Sequence, residues 1–145
     1  MEGLKVRMLG PDDIMDVHAL WKEASVSFRP AGRDSISHLT QEMANGSLFI
    51  AGAFVGEAFL GLALGSDDGR KGWISRLAVK PGYRRQGVGR SLIAFCEQVF
   101  RGRGRGMACT LVEGDKETGL ELFESAGFER RRDMVYFSKP LGPEE

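Results

Sequence analysis

Arg84, Gly87 and Gly89, spaced Arg-x-x-Gly-x-Gly inside Arg84-Arg85-Gln86-Gly87-Val88-Gly89-Arg90, are the residues whose types and spacing point most directly to chemistry. The first turn of a helix leaves backbone N–H groups without intrahelical partners and carries a partial positive charge. A helix opening near Gly87 is therefore an anion site. Glycine at 87 and 89 removes side chains that would hold a phosphate off the backbone. Arg84, Arg85 and Arg90 add positive charge at the same place, and a pyrophosphate is the natural guest. Two phosphate loops are excluded. A Walker A loop needs Gly-Lys-Ser/Thr, whereas Gly87 is followed by Val88-Gly89-Arg90; a dinucleotide fingerprint needs a third glycine where Leu92 stands. The pattern that remains reads either as a phosphate cradle or as a purely structural strand–helix turn.

Other chemistry-bearing residues are sparse. His18 and His38 fall on expected helices without obvious partners; either could act as a base, with a solvent-facing histidine as the default. Asp67, Asp68 and Glu113 are further candidate bases, directly or through water, each set against a plain role in a solvated loop. Cys96 lies on an apolar helical stripe and Cys109 in an expected strand, so both read as small core residues. Two cysteines make no disulfide framework and two histidines no Cys/His cluster at zinc spacing, so no metal site is expected. Arg101-Gly102-Arg103-Gly104-Arg105-Gly106 has the look of an RNA-binding arginine–glycine segment. Its simpler reading is a helix C-cap and a turn, with cations matching the negative helix end.

The elements that must position these residues follow from periodicity. Leu4–Leu9 alternates and reads as a strand. Pro11-Asp12-Asp13 opens a helix in which Ile14, Val17, Leu20 and Trp21 share a face to about Ala24. After a loop through Ser27–Gly32, Asp34 or Ser35 caps a second helix carrying Ile36, Leu39 and Met43, ending near Asn45-Gly46. Leu48–Phe54 and Ala58–Gly65 are expected as buried strands, and Trp73–Val79 as a fourth. Lys80-Pro81-Gly82 stops that strand in what reads as a type II turn. Gly87 to about Phe100 forms a helix with Val88, Leu92, Cys96 and Val99 on one face. Met107–Val112, a helix over Lys116–Ala126, and closing strands at Phe128–Arg131 and Met134–Ser138 complete the pattern. The tail Lys139–Glu145 is expected to fray.

With 145 residues, 42% apolar, the chain predicts one domain, 1–145, able to bury about two-thirds of its unfolded surface. The expected class is α/β (α+β): a mixed central sheet of six to seven strands flanked by about four helices. Twenty basic and twenty acidic residues cancel, which argues against a protein whose main task is wrapping nucleic acid. Gly46–Ser66 carries a single charge, Glu57. As a membrane span it would hold that carboxylate at its centre, at a cost of roughly 2.5–3.5 kcal/mol, so a pair of strands is the better reading and no membrane association is expected. With no apolar signal core near Met1, a cytoplasmic location with reduced thiols follows.

The segment from Trp73 to Leu92 resembles the acyl-CoA signature of the GNAT superfamily of N-acetyltransferases. That signature is Arg/Gln-x-x-Gly-x-Gly/Ala directly after a strand of Leu-Ala-Val type, here Leu77-Ala78-Val79. The resemblance extends over nearly the whole chain in element order and takes in Thr110-Leu111-Val112, Leu122-Phe123 and Ala126-Gly127-Phe128. Leu20-Trp21, Arg29-Pro30 and the Asp68–Gly72 turn are similar to small bacterial YpeA-type acetyltransferases.

The resemblance implies acetyl-CoA as cofactor. The backbone of Leu77, Ala78 and Val79 would pair with the pantetheine arm, because the fourth and fifth strands splay apart in this family. N–H groups of Arg85, Gln86, Gly87, Val88, Gly89 and Arg90 would cradle the pyrophosphate, with Arg84 and Arg85 near the phosphates. An N–H near Leu77 or Ala78 would polarise the thioester carbonyl. The family's Asn and Tyr positions hold Lys116 and Phe123; phenylalanine has no proton for a departing thiolate, and Lys116 is read as a cofactor contact. Ser75 and Arg76 stand where many relatives carry a carboxylate, so the catalytic base is unassigned. Trp21, Phe28 and Arg29 fall at the family's acceptor pocket, with Trp21 equally a core residue.

The expected function is transfer of an acetyl group to a primary amine, a small molecule or a protein N-terminus, by direct attack in a ternary complex. The competing class is a non-catalytic acyl-CoA sensor, supported by Phe123 and the missing base; an RNA-binding protein using the Arg-Gly run is the third. A homodimer is left open. Gly89→Glu is expected to abolish CoA binding with the fold retained.

Overall fold

Short apolar runs bounded by turns account for most of the sheet. The computed structural model describes residues 1–114 and 116–143. β1 (Leu4–Met8), β2 (Leu48–Val55), β3 (Ala58–Asp67), β4 (Gly72–Val79) and β5 (Ala108–Thr110) form one mixed sheet in chain order. Neighbours from β1 to β4 are antiparallel. β5 runs parallel to β4, as a strand reached through a helical crossover can. Residues 48–53 of β2 are all buried, because helices cover both faces of the sheet.

α1 (Ile14–Glu23) and α2 (Ile36–Asn45) cover one face, and Ile14, Val17, Leu20, Trp21 and Leu39 pack there on Leu48, Ile50, Leu62 and Leu64. α3 (Val88–Gly102) and α4 (Glu117–Ser125) cover the other, where Val88, Leu92, Ile93, Cys96, Phe100 and Phe123 meet Phe49, Ala51, Ala53 and Ala63. α2 is capped by Ser35, whose Oγ accepts the His38 N–H at 3.1 Å; Asp34 is left for another task.

Two features of β4 shape the site. It pairs with β5 only from Gly72 to Ile74, against Ala108 to Thr110. Thr110 Oγ1 closes that pairing with a 2.8 Å hydrogen bond to the Ile74 carbonyl. On its other side β4 carries a bulge: Ser75 pairs with Leu64 and Ala78 with Leu62, so Arg76 and Leu77 share the single residue Ala63. The bulge reverses the side-chain alternation. Ile74 packs under α3, while Ala78, four residues on, packs under α1 and α2.

The structure corrects several expectations. Among the described residues the sheet has five strands, not six to seven. Phe128–Arg131 and Met134–Ser138 are not strands: Met134, Val135, Tyr136 and Phe137 are exposed, and Arg130 turns back to Glu124 in a two-pronged ion pair at 2.7 and 2.9 Å. Alternation cannot make a strand without a ladder to join, and β5 offers only three residues. Lys80-Pro81-Gly82 is not a type II turn. Pro81–Tyr83 is a 3-10 turn closed by the Tyr83 N–H on the Lys80 carbonyl at 2.9 Å, and Gly82 is absent from the positive-φ glycines that such a turn requires. The expectation of a frayed end at Glu144 and Glu145 lies outside the described residues.

Candidate active site

α3 begins at an unusual cap. Gly87 holds the N-cap position at φ +86, and no side chain caps the helix. The first helical bond runs from the Ser91 N–H to the Gly87 carbonyl at 3.0 Å, so the N–H groups of Val88, Gly89 and Arg90 precede the intrahelical ladder. A Cβ on Gly87 would meet nothing within 4 Å; its glycine answers to backbone conformation alone.

The preceding loop exposes Arg84, Arg85 and Gln86, and Arg90 is exposed on the helix's first turn. Arg84 Nε donates to the Val79 carbonyl at 3.1 Å, tying the loop to the end of β4. Arg85 has φ +61 and Arg76 φ +49, so two of the three non-glycine residues with left-handed backbone among the described residues bracket Leu77-Ala78-Val79. Such conformations persist where surrounding contacts hold them and concentrate at ligand sites. From Ser75 to Val79 no β5 residue pairs with β4. An open strand edge thus ends beside an uncapped helix N-terminus with cations around it. An open groove of about 410 Å³ continues from Arg90 and Ser91 along α3 to Ala126. These groups fit a chain that ends in phosphates and carries amide groups along its length.

Behind that edge lies an aromatic and charged cluster. Trp21 is fully buried, and its indole N–H donates to the Arg76 carbonyl at 3.2 Å. The Arg76 guanidinium sits 5.3 Å over the same ring and pairs with the Asp34 carboxylate. Phe28, half-buried, stacks on His18 at 5.1 Å and lies 5.4 Å from Trp21.

Residues 15–128 match the acetyltransferase (GNAT) family. The chain belongs to that family. It is 25% identical over 138 residues to an acetyltransferase of Sodalis glossinidius, covering 95% of this chain and 96% of the relative. It is 28% identical over 139 residues to an aminoglycoside N(6')-acetyltransferase type 1 of Stenotrophomonas maltophilia, covering 86% and 88%. In fold it is similar to AAC(6')-Iy solved with the bisubstrate analogue CoA-S-monomethyl-acetylneamine, with a TM-score of 0.79, 16% identity, and coverage of 94% and 98%. The protein is an acetyltransferase, and acetyl-CoA is its cosubstrate.

In this acetyltransferase the residues expected from sequence fall at four places. Leu77, Ala78 and Val79 lie on the open edge, and Arg84, Arg85, Gln86, Gly87, Val88, Gly89 and Arg90 lie at the helix start. Gly89 has a different reason from the one expected: it is buried, and a Cβ there would stand 2.8 Å from Cδ2 of Leu122. It serves the close approach of α3 and α4. A side chain at 89 forces the Leu122 methyl aside, so Gly89→Glu would load the α3–α4 contact as well as the first turn of α3. Lys116 is exposed at the N-cap of α4. Phe123 is buried, with its ring edge-on to Phe128 at 5.2 Å, and brings no polar atom.

Trp21 belongs to the core, Phe28 lines it in part, and the Arg29 backbone N–H donates to Asp34 at 2.7 Å. His18 is not solvent-facing as the default expected: it is half-buried and its Nε2 lies 2.6 Å from the Asp34 carbonyl oxygen. A carbonyl only accepts, so Nε2 carries the proton. His38 is exposed and keeps company with Ser35.

Among the candidate bases, Asp67 and Asp68 sit at the far end of β4, about 23 Å along the strand from Val79 at ~3.3 Å per residue. The Arg105 guanidinium and the Gly69 N–H hold the Asp67 carboxyl below the usual range. The N–H groups of Lys71 and Arg70 and the Trp73 indole bring Asp68 down to about 2. Neither takes up a proton readily near neutrality. Asp67 bonds Arg105 at 2.8 Å and Arg103 at 3.4 Å, so the Arg-Gly run docks on its own protein. Burial pushes the Cys96 thiol up to about 12.

Asp34, expected from sequence as an alternative cap of α2, and Arg76, noted only where relatives carry a carboxylate, are the residues whose pairing sequence reasoning missed. The signal was present in part: an aspartate beside a cap position that a neighbouring serine fills, and an arginine inside a strand of otherwise uncharged residues.

Proposed function

We propose that residues 1–145 act as one N-acetyltransferase domain that moves the acetyl group of acetyl-CoA to a primary amine by direct attack in a ternary complex. The observation that carries this reading is the juxtaposition of the open Ser75–Val79 edge with the uncapped first turn of α3. Leu77, Ala78 and Val79 supply backbone groups to the pantetheine amides. The N–H groups from Arg85 to Arg90 receive the pyrophosphate, with the Arg84, Arg85 and Arg90 cations around it. Lys116 and the Phe123 wall complete the cofactor side, while Phe28 and Arg29, over Trp21, form the acceptor side.

The amide near Leu77 or Ala78 donates to the oxygen that gains negative charge as the amine attacks; one such donor is typically worth about 2.7–4 kcal/mol. Phe123 cannot protonate the leaving sulfur. A thiol of pKa near 8.5 leaves tolerably as thiolate, so the absent acid costs part of the usual 10²–10⁴-fold gain rather than the reaction. The free thiols Cys96 and Cys109 suit a reducing, cytoplasmic setting.

The experiment mixes the protein with acetyl-CoA and a panel of small amines and N-terminal peptides, then follows thiol release. Turnover on any amine supports the transferase. Stabilisation by CoA with no turnover on the whole panel supports the sensor reading, which the buried, protonless Phe123 favours.

A further inference from the structure

Asp34 is the one buried charged residue among the described residues, at 3% exposure, and it joins three parts of the molecule. Its carboxylate accepts the Arg29 N–H at 2.7 Å and pairs with the Arg76 guanidinium from β4. Its carbonyl accepts the His18 Nε2–H from α1. Arg76 is the bulge residue in left-handed backbone, φ +49, a conformation that an arginine adopts only when held. The holding groups are Asp34 on the guanidinium, the Trp21 ring beneath it, and the Trp21 indole N–H on the Arg76 carbonyl. Arg76 and Leu77 together face Ala63, so the β3 ladder is interrupted just where the open edge begins.

We propose that Asp34 is a positioning residue: by clamping Arg76 it holds the β4 bulge in the one geometry that presents the Leu77–Ala78 amides to the acetyl-CoA carbonyl. This rests on the acetyl-CoA reading above. Asp34 touches no reacting atom; it acts through Arg76 on the backbone that does. A carboxylate on the helix-side loop thereby sets the geometry of a strand it does not belong to.

The test uses acetyl-CoA labelled with ¹³C at the thioester carbonyl, bound to the wild-type protein, to Asp34→Asn and to Asp34→Asn/Arg76→Gly. A hydrogen bond to the carbonyl displaces its resonance downfield on binding. In Asp34→Asn the displacement falls by at least half and thiol release slows by about 10²-fold, the usual loss of one oxyanion donor, while the Kd for CoA rises by less than about tenfold because the phosphate contacts at the head of α3 do not depend on the β4 bulge. Glycine reaches left-handed backbone without a clamp, so Arg76→Gly in the double variant restores the displacement. A residue that merely tied down the 25–35 loop would not be rescued from position 76. If Asp34→Asn loses its far-UV signal, Arg76→Gln opens the same ion pair and is expected to show the same loss. An unchanged carbonyl resonance in the folded single variant overturns the proposal, as does failure of Arg76→Gly to restore it. Wild-type protein that binds no acetyl-CoA overturns the cofactor reading, and this proposal with it.

Discussion

Gly89 in the first turn of α3 and Leu122 in α4 approach so closely that the missing Cβ would stand 2.8 Å from a Leu122 methyl. The glycine-bearing loop is thus a packing joint as well as the proposed seat of the pyrophosphate. Gly89→Ala forces Leu122 aside, and overpacking of this kind costs roughly 1–3 kcal/mol, offset by alanine's better helix propensity, up to about 1 kcal/mol. The expected net loss is about 1 kcal/mol by urea denaturation, and Leu122→Ala in the same chain costs less than it does alone.

Gly87 behaves differently. Space around it is open, but its φ is +86. Gly87→Ala places a Cβ in left-handed backbone, at about 1–2 kcal/mol. The first turn of α3 shifts to relieve it, and CoA affinity by calorimetry falls about tenfold. Unaltered affinity would separate Gly87 from the phosphate site.

Arg90 is exposed beside the same turn, so its removal leaves the fold intact. Arg90→Ala weakens CoA binding by about fivefold, close to 1 kcal/mol for a partly screened charge contact. The dependence of Kd on salt becomes shallower as well.

Asp68 has a folded pKa of about 2, lowered by the Lys71 and Arg70 N–H groups. A depressed carboxylate contributes stability that is complete above its unfolded value near 3.9 and is lost as pH falls through that value toward 2. Denaturation midpoints measured from pH 7 to pH 2 should decline less steeply over pH 4 to 2 in Asp68→Asn than in the wild type.

Cys96 is fully buried in α3 with its thiol raised to about 12. A thiol reagent at pH 8 should leave it unmodified until the protein unfolds, whereas half-buried Cys109 reacts first. Modification of Cys96 at the rate of Cys109 would contradict the packing of α3.

Most of the fold was readable because its signals are local. Apolar stripes in α1 and α3 and the two buried runs of β2 and β3 need only short-range periodicity. The glycine turn at the head of α3 was readable for the same reason: Arg84, Gly87 and Gly89 stand within six consecutive positions. The expected closing strands failed because a strand exists only with a ladder to join, and no pattern at Met134–Ser138 reports how short β5 is.

By itself, the sequence determined the order of most helices and strands, the basic glycine loop at the head of α3, and the resemblance to the acetyltransferase family. Only the tertiary structure decided that Gly89 answers to Leu122, that His18 bonds the Asp34 carbonyl, and that Asp34 reaches Arg76 across 42 residues of chain. The physical reason is that hydrogen-bonded turns and amphipathic faces are written in neighbouring residues. A buried ion pair or a missing Cβ depends on which distant backbone is brought against it.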